Sequence, residues 1–305
     1  NILLSKTEQD LLFLLEKVTK HHDWIELPVL AERLNFSIEE LQEHLFKLEQ
    51  LFPNLLLQSR NKGIQLQFDF QNTWDPKIAI FKQSETYSFL NCLFFKEGQS
   101  LEQICQELVI SCERGQEIIQ HLNTELPQYY GINIQPSPLF MEGAEEDIRA
   151  FYLDYFSQSY DFLDWPFPSI SEESLTHLIQ LFLDAQQVSP NLSSLRQIKY
   201  TLAINLERLN KSHLIENPTP LLTSHYSTLM QIPQFEENIK KLAKKLHFEP
   251  TTETLKQLFS NPIKSPKITN NTNNGALGDI HHIQKSYRLL SQILEELAKE
   301  FHLQI

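Results

Sequence analysis

The side chains able to do chemistry in this sequence are hydrogen-bonding and basic groups in two short clusters, and none is arranged to make or break covalent bonds. No Ser–His–Asp neighbourhood, HExxH helix, CxxC pair or glycine-rich phosphate cradle is present, so an enzyme is not expected. The first cluster holds Gln42, Glu43, His44 and Lys47, with Glu39 and Glu40 beside them. The second holds Ser111, Arg114, Glu117 and His121, with Ile118. Gln and Arg can pair through two hydrogen bonds with adenine and guanine edges in a duplex groove. Arg60, Asn61 and Lys62, between two extended runs, are placed to grip phosphate. Cys92, Cys105 and Cys112 form an odd, sparse set without zinc-ligand spacing. They read as reduced cytosolic thiols, Cys105 and Cys112 being small packing residues, and no metal or other cofactor is expected.

The elements that must position these clusters follow from periodicity. Residues 7–20 repeat apolar side chains at Leu11, Leu12, Leu14, Leu15 and Val18, which predicts a helix. A short helix over 27–34, a tight turn at Asn35–Phe36 and a third helix from Ser37 come next, the last with a capping box of Ser37 and Glu40. Leu41, Leu45 and Leu48 share one face of that helix, leaving the first cluster outside it. Strands at 55–59 and 64–68 then surround Asn61–Lys62–Gly63, where Gly63 supplies the positive φ of the turn. This is the outline of a winged helix-turn-helix.

The outline recurs. Shifted by 74 residues, 30–53 lies over 104–127 with seven identities in 24 positions, where composition alone would give about two. The second copy has its own first helix (85–96), a capping box at Ser100 and Gln103, and a hairpin from 131–134 and 139–141. Between 144 and 274 glycine is absent, excluding a Rossmann or P-loop site there and predicting helices at 145–156, 175–183 (capped by Ser169 and Glu172), 195–214, 234–246 and 252–259. The expected class is mainly α: tandem winged helix-turn-helices at 1–76 and 77–143, and an all-helical domain at 144–260. A linker at 261–279, rich in Asn, Thr, Pro and Gly, precedes the first helix of an incomplete further domain at 280–305.

Charge cuts against strong nucleic-acid binding. The chain carries −13 overall; residues 1–76 hold seven basic and twelve acidic side chains, and residues 77–143 four and eight. Weak, strongly salt-dependent binding by a monomer is expected, with dimerisation and bent or deformable duplexes supplying affinity and selectivity. No apolar run reaches the roughly 18 residues a membrane span needs, and a cytoplasmic protein is expected.

Two winged helices followed by GAEEDIRAFYLDYF (143–156), DWPFP (164–168) and LERLNKSHLIE (206–216) resemble the Mga/AtxA family of virulence regulators of Gram-positive bacteria, and within it an enterococcal Mga-type member. The resemblance implies that 144–260 is similar to a PTS regulation domain (PRD), that 280–305 begins a second, and that double-stranded promoter DNA is bound by a homodimer or higher oligomer. It also implies control by histidine phosphorylation from sugar-phosphotransferase phosphocarrier proteins. A common PRD pattern places its histidine in the helix ending at the arginine, where Tyr200 and Thr201 stand here. That shifts weight to His213, with Arg208 and Lys211 nearby to pair with a phosphate, then to His177 and His225; His281 and His282 follow. Two alternatives stand beside this reading: a winged-helix scaffold that binds proteins, and an RNA-binding PRD antiterminator, which would begin with a β-rich domain instead of helices.

Overall fold

Ser37 shows how the sequence starts its helices. Its hydroxyl accepts the Glu40 N–H at 3.1 Å while the Glu40 carboxylate accepts the Ser37 N–H at 2.8 Å. Donors that the first turn leaves free are satisfied from both sides. The computed structural model describes residues 2–19, 23–52, 56–59, 63–66, 76–160, 164–186, 192–219, 230–231 and 233–261. Helices α1 (Lys6–Thr19), α2 (Leu27–Leu34) and α3 (Ile38–Leu51) precede an antiparallel hairpin of β1 (Leu56–Ser59) and β2 (Gly63–Leu66). After α4 (Pro76–Gln83) the pattern repeats as α5 (Glu85–Phe95), α6 (Leu101–Leu108), α7 (Cys112–Tyr129), β3 (Asn133–Pro136) and β4 (Leu139–Glu142). Then come α8 (Glu145–Ser159), α9 (Glu172–Gln186), α10 (Leu192–Asn210), α11 (Pro233–Leu246) and α12 (Thr252–Leu258).

The two copies agree in backbone detail. Asn35 and Val109 end α2 and α6 in the same left-handed conformation, φ 57° and 58°. Ser100 and Gln103 close a capping box like that of Ser37. Ile25, just before α2, exchanges two 2.8 Å backbone hydrogen bonds with Ile64 of β2. In the second copy Leu139 of β4 accepts from Gly98 at 2.7 Å and donates to Gln99 at 3.0 Å. Each hairpin thus gains a short third edge that ties it to the helix-turn-helix. The approach at Ile25 dictates glycine at 63, where a Cβ would stand 1.9 Å from the Ile25 carbonyl oxygen.

Two cores form. The smaller gathers α1–α3, Ile64 of β2 and Ile80 of α4. The larger runs from Leu3, Leu4 and Phe81 through α5–α7 and the second hairpin into the helices beyond. The second winged helix therefore shares its interior with the helical region. Phe94 of α5 packs on Tyr152 and Phe156 of α8 at 4.5 and 5.0 Å between ring centres. The DWPFP segment inserts Phe167 against Phe156 at 4.8 Å and Tyr200 at 5.7 Å.

Two expectations are corrected, and one helix is added. The cap of α9 is Ser171, whose hydroxyl accepts the Ser174 N–H at 3.2 Å, while the Ser169 hydroxyl turns to Glu207. Helix α10 ends at Asn210, not near 214: Ser212 takes φ 64°, and the N–H groups of Lys211 and His213 both return to the Arg208 carbonyl. His213 consequently lies in the turn after the helix. Helix α4 was not expected, its start at Pro76 standing between the strand and helix patterns that periodicity picks out. Linker residues 262–279 and the segment 280–305 lie outside the described residues.

Val109 yields a stability prediction. It is β-branched, left-handed and 91% exposed, so it bears the conformational cost without packing in return. Val109→Asn, which installs the first copy's residue, should raise stability by about 1 kcal/mol. The expected readout is a higher urea midpoint at unchanged slope; a lower midpoint would contradict the argument.

Candidate nucleic-acid interface

On α3 the apolar stripe Leu41, Leu45 and Leu48 is buried, and Gln42, Glu43 and Lys47 stand in solvent. Ile38 and Phe46 are also exposed, at 44% and 61%. His44 is placed differently from the rest of its cluster. Its ring stacks on Phe36 at 5.1 Å, Nδ1 lies 2.5 Å from the Glu40 carbonyl oxygen, and Nε2 lies 3.8 Å from Asp10 of α1. It fills the α1–α3 junction instead of facing outward.

The α7 cluster is more heavily engaged. Ser111 caps the helix by accepting the Arg114 N–H at 3.1 Å. The Arg114 guanidinium donates to Glu85 of α5 at 2.7 Å and to Glu117 at 2.9 Å, which brings two of the expected contact residues together as an ion pair. These carboxylates raise the Arg114 pKa against a smaller effect of burial. His121 Nε2 lies 3.0 Å from the Ile2 carbonyl oxygen, and Ile118, grouped with the outward set, is buried. Exposed instead is Gln116, the repeat partner of Gln42. The 74-residue register was the signal that could have found it. Arg60, Asn61 and Lys62 lie outside the described residues.

Behind α7, a buried ionic cluster joins the second winged helix to the helical region. Arg208 of α10, 1% exposed, donates to Glu97 beyond α5 at 2.9 Å and to both carboxylate oxygens of Glu145 on α8 at 2.9 and 2.7 Å. Arg149, fully buried one helical turn after Glu145, donates to it at 2.8 Å. Its remaining donors reach Asn205, the Gln257 carbonyl, Ser260 and the His213 carbonyl at 2.9–3.3 Å. Burial pushes the Glu145 carboxyl up, but Arg208 and Arg149 outweigh it and hold the group below its ordinary range. Burial likewise opposes the charge on Arg208, and the two carboxylates overcome it to raise its pKa. For Arg149 burial wins and lowers it.

This cluster changes what surrounds the histidine candidates. His213 Nε2 lies 2.8 Å from Glu97, with the side chain about one-third exposed. Arg208 is committed to carboxylates, and the Lys211 ammonium bonds the Phe94 carbonyl and sits over its ring at 5.3 Å. Neither cation is open to a phosphate in this arrangement, contrary to the expectation from their sequence neighbourhood. His177 is exposed on α9; His225, His281 and His282 lie outside the described residues. Among the described residues no group of three or more His, Cys, Asp or Glu could hold a metal ion, and no helix is long and apolar enough to cross a membrane.

Two capped helix-turn-helices, each closed by a hairpin and backed by a helical region, define a tandem winged-helix protein. Residues 77–156 match the model of the Mga helix-turn-helix domain, and residues 171–305 match that of the M protein trans-acting positive regulator (MGA) PRD domain. The chain belongs to the Mga family. It is 30% identical, over 99% of its length, to a protein of Streptococcus pneumoniae serotype 4 described as a trans-acting regulator. It is 27% identical over 78% of its length to the anthrax toxin expression trans-acting positive regulator of Bacillus anthracis. A capsule synthesis positive regulator of the same organism, AcpB, is 20% identical over 67%. The chain spans 62%, 51% and 42% of these relatives' own lengths.

Removing one side of the buried cluster tests its weight. Arg208→Ala leaves the Glu97 and Glu145 carboxylates buried without their main partner and should cost about 3–5 kcal/mol in urea unfolding. The acid response follows from the lowered Glu145 value. Its contribution is complete above the ordinary value of 4.5 and is lost as pH falls through the lower folded value. Stability should therefore drop on acidification below about 4.5 in the wild type, and more shallowly in Glu145→Gln. Equal acid slopes in the two proteins would refute that assignment.

Proposed function

We propose that the chain acts as a transcription regulator that binds double-stranded promoter DNA through α3 and α7. The observation that supports this best is the equivalence of the two helices: each starts at a serine cap and carries a glutamine, Gln42 or Gln116, at the same repeat position on an exposed face. A glutamine so placed can pair with an adenine edge. Because both winged units are acidic, phosphate contacts are few, and a homodimer or higher oligomer on bent or deformable promoter DNA supplies the rest of the affinity. The cytoplasm is the compartment in which this activity operates. The regulator names of the relatives favour the same reading.

Fluorescence anisotropy at low salt, with bent and straight duplexes, tests it. Lys47→Ala should weaken binding evenly across sequences and lower the salt slope by about one. Gln42→Ala and Gln116→Ala should cost about 1–3 kcal/mol and relax sequence preference. Wild-type binding by all three variants would remove these helices from the interface. Exposed Ile38 and Phe46 on α3 favour a second reading, docking of a protein partner; it gains if no duplex is bound at low salt.

The PRD-like region is proposed to take phosphate from phosphotransferase phosphocarriers. His177 is the open acceptor and His213 the coupled one, since a phosphate there would press its charge against Glu97 and loosen the junction to the second winged helix. In vitro phosphotransfer should label the wild type and lose label in His177→Ala, His213→Ala or His225→Ala. An unlabelled wild type would remove the sensing half of the proposal.

A further inference from the structure

We propose that Cys105 and Cys112 form a peroxide-sensitive dithiol that closes to an intramolecular disulfide across the second helix-turn-helix. Cys105 lies on α6, 1% exposed, and Cys112 is the exposed first residue of α7. Of all side chains, Cys112 acts most strongly on the Cys105 thiol, and the Gly115 N–H lies beside that thiol while bonding the Ser111 carbonyl at 3.0 Å. Gly115 follows Cys112 by three residues and so shares its side of α7. A Cβ on Gly115 would stand 2.5 Å from the Cys105 sulfur, so the bare glycine makes room for the thiol between the helices. The first copy has Ala31, Ile38 and Leu41 at the corresponding places and builds the same turn without either thiol. The pair is therefore an addition to the motif, not a requirement of it.

The two thiols differ as a dithiol couple requires. Exposed Cys112 meets the oxidant, and its thiolate attacks one peroxide oxygen of hydrogen peroxide. An S–O bond forms, the O–O bond breaks, and the departing hydroxide takes a proton to leave as water. The Cys105 sulfur then attacks the Cys112 sulfur. The S–S bond forms as the S–O bond breaks, and the Cys105 proton leaves with the hydroxide as a second water. Two thiols and one peroxide become a disulfide and two waters. Burial, followed by the Cys112 neighbour, raises the Cys105 thiol. The product links α6 to the first turn of α7 beside the Ser111 cap, whether or not α7 touches DNA.

Mass spectrometry on the full chain tests the proposal. Tryptic cleavage after Lys96 and Arg114 leaves both cysteines in one peptide, 97–114, and puts Cys92 in another. After a stoichiometric dose of hydrogen peroxide and alkylation, the wild-type 97–114 peptide should lack two hydrogens and both alkyl groups. Dithiothreitol should restore both groups, Cys92 should stay alkylated, and the chain should run as a monomer on a non-reducing gel. Cys105→Ala, carrying the first copy's residue, should instead accumulate a sulfenic acid on Cys112 that dimedone traps, with about tenfold less label in the wild type. In Cys112→Ser, Cys105 should remain alkylatable. Equal dimedone labelling in wild type and Cys105→Ala, a link between chains, or persistence of both free thiols would each overturn the proposal.

Discussion

The guanidinium of Arg208, held between Glu97 and Glu145 with almost no access to water, is the constraint around which the second half of the molecule is organised. Ions removed from solvent are tolerated only where every donor and acceptor finds a partner. Those partners come from far apart in the chain: the end of α5, the first turn of α8, the last turn of α10, and the residues around α12. Arg149 extends the demand by spreading its donors over Glu145, Asn205, Gln257, Ser260 and the His213 backbone. Satisfying two arginines fixes four elements at once. It also explains why the second winged helix has no core of its own. Its interior continues through Phe94 into the aromatic side chains of α8 and the inserted Phe167.

That arrangement divides labour between the two copies of one motif. The first closes over its own small core, and its reading helix keeps Gln42, Glu43 and Lys47 in solvent. The second spends its basic side chain internally, Arg114 being tied to Glu85 and Glu117, and His121 meets the backbone at Ile2. Equivalent backbones therefore carry different surfaces. The helical region behind them reaches the second copy through Glu97, the residue that also receives His213. A change of charge at that turn would be felt first at the junction between the two.

Local rules were legible in the chain before any coordinates. The caps at Ser37 and Ser100, the tight turn at Asn35–Phe36 and the glycine in the first hairpin depend on residues a few positions apart, and the 74-residue register carries them to a second copy. The fold class follows from those marks. The ionic cluster was not legible, because Arg208 meets Glu97 from 111 positions away and Arg149 meets Gln257 from 108. Reading Arg208 and Lys211 as free partners for a phosphate on His213 failed for this reason. Proximity in sequence says nothing of which carboxylate or carbonyl reaches a cation first. His44 misled in a similar way: its position on α3 suggested an outward face, but an aromatic neighbour and a carbonyl one turn back hold the ring against α1. The end of α10 was set by a left-handed serine, a conformation for which that residue type gives no warning.

Helix α4 contributes neighbouring residues to different interiors, Ile80 to the smaller and Phe81 to the larger. Any swivel of one head against the other would have to pull one of these two side chains out of its seat. Helix α4 thus works as a clamp between the two heads, seated in both interiors at once. The clamp has a second arm in residues 2–4 ahead of α1: Leu3 and Leu4 enter the larger interior and the Ile2 carbonyl meets His121, so resetting the two heads means unseating both arms.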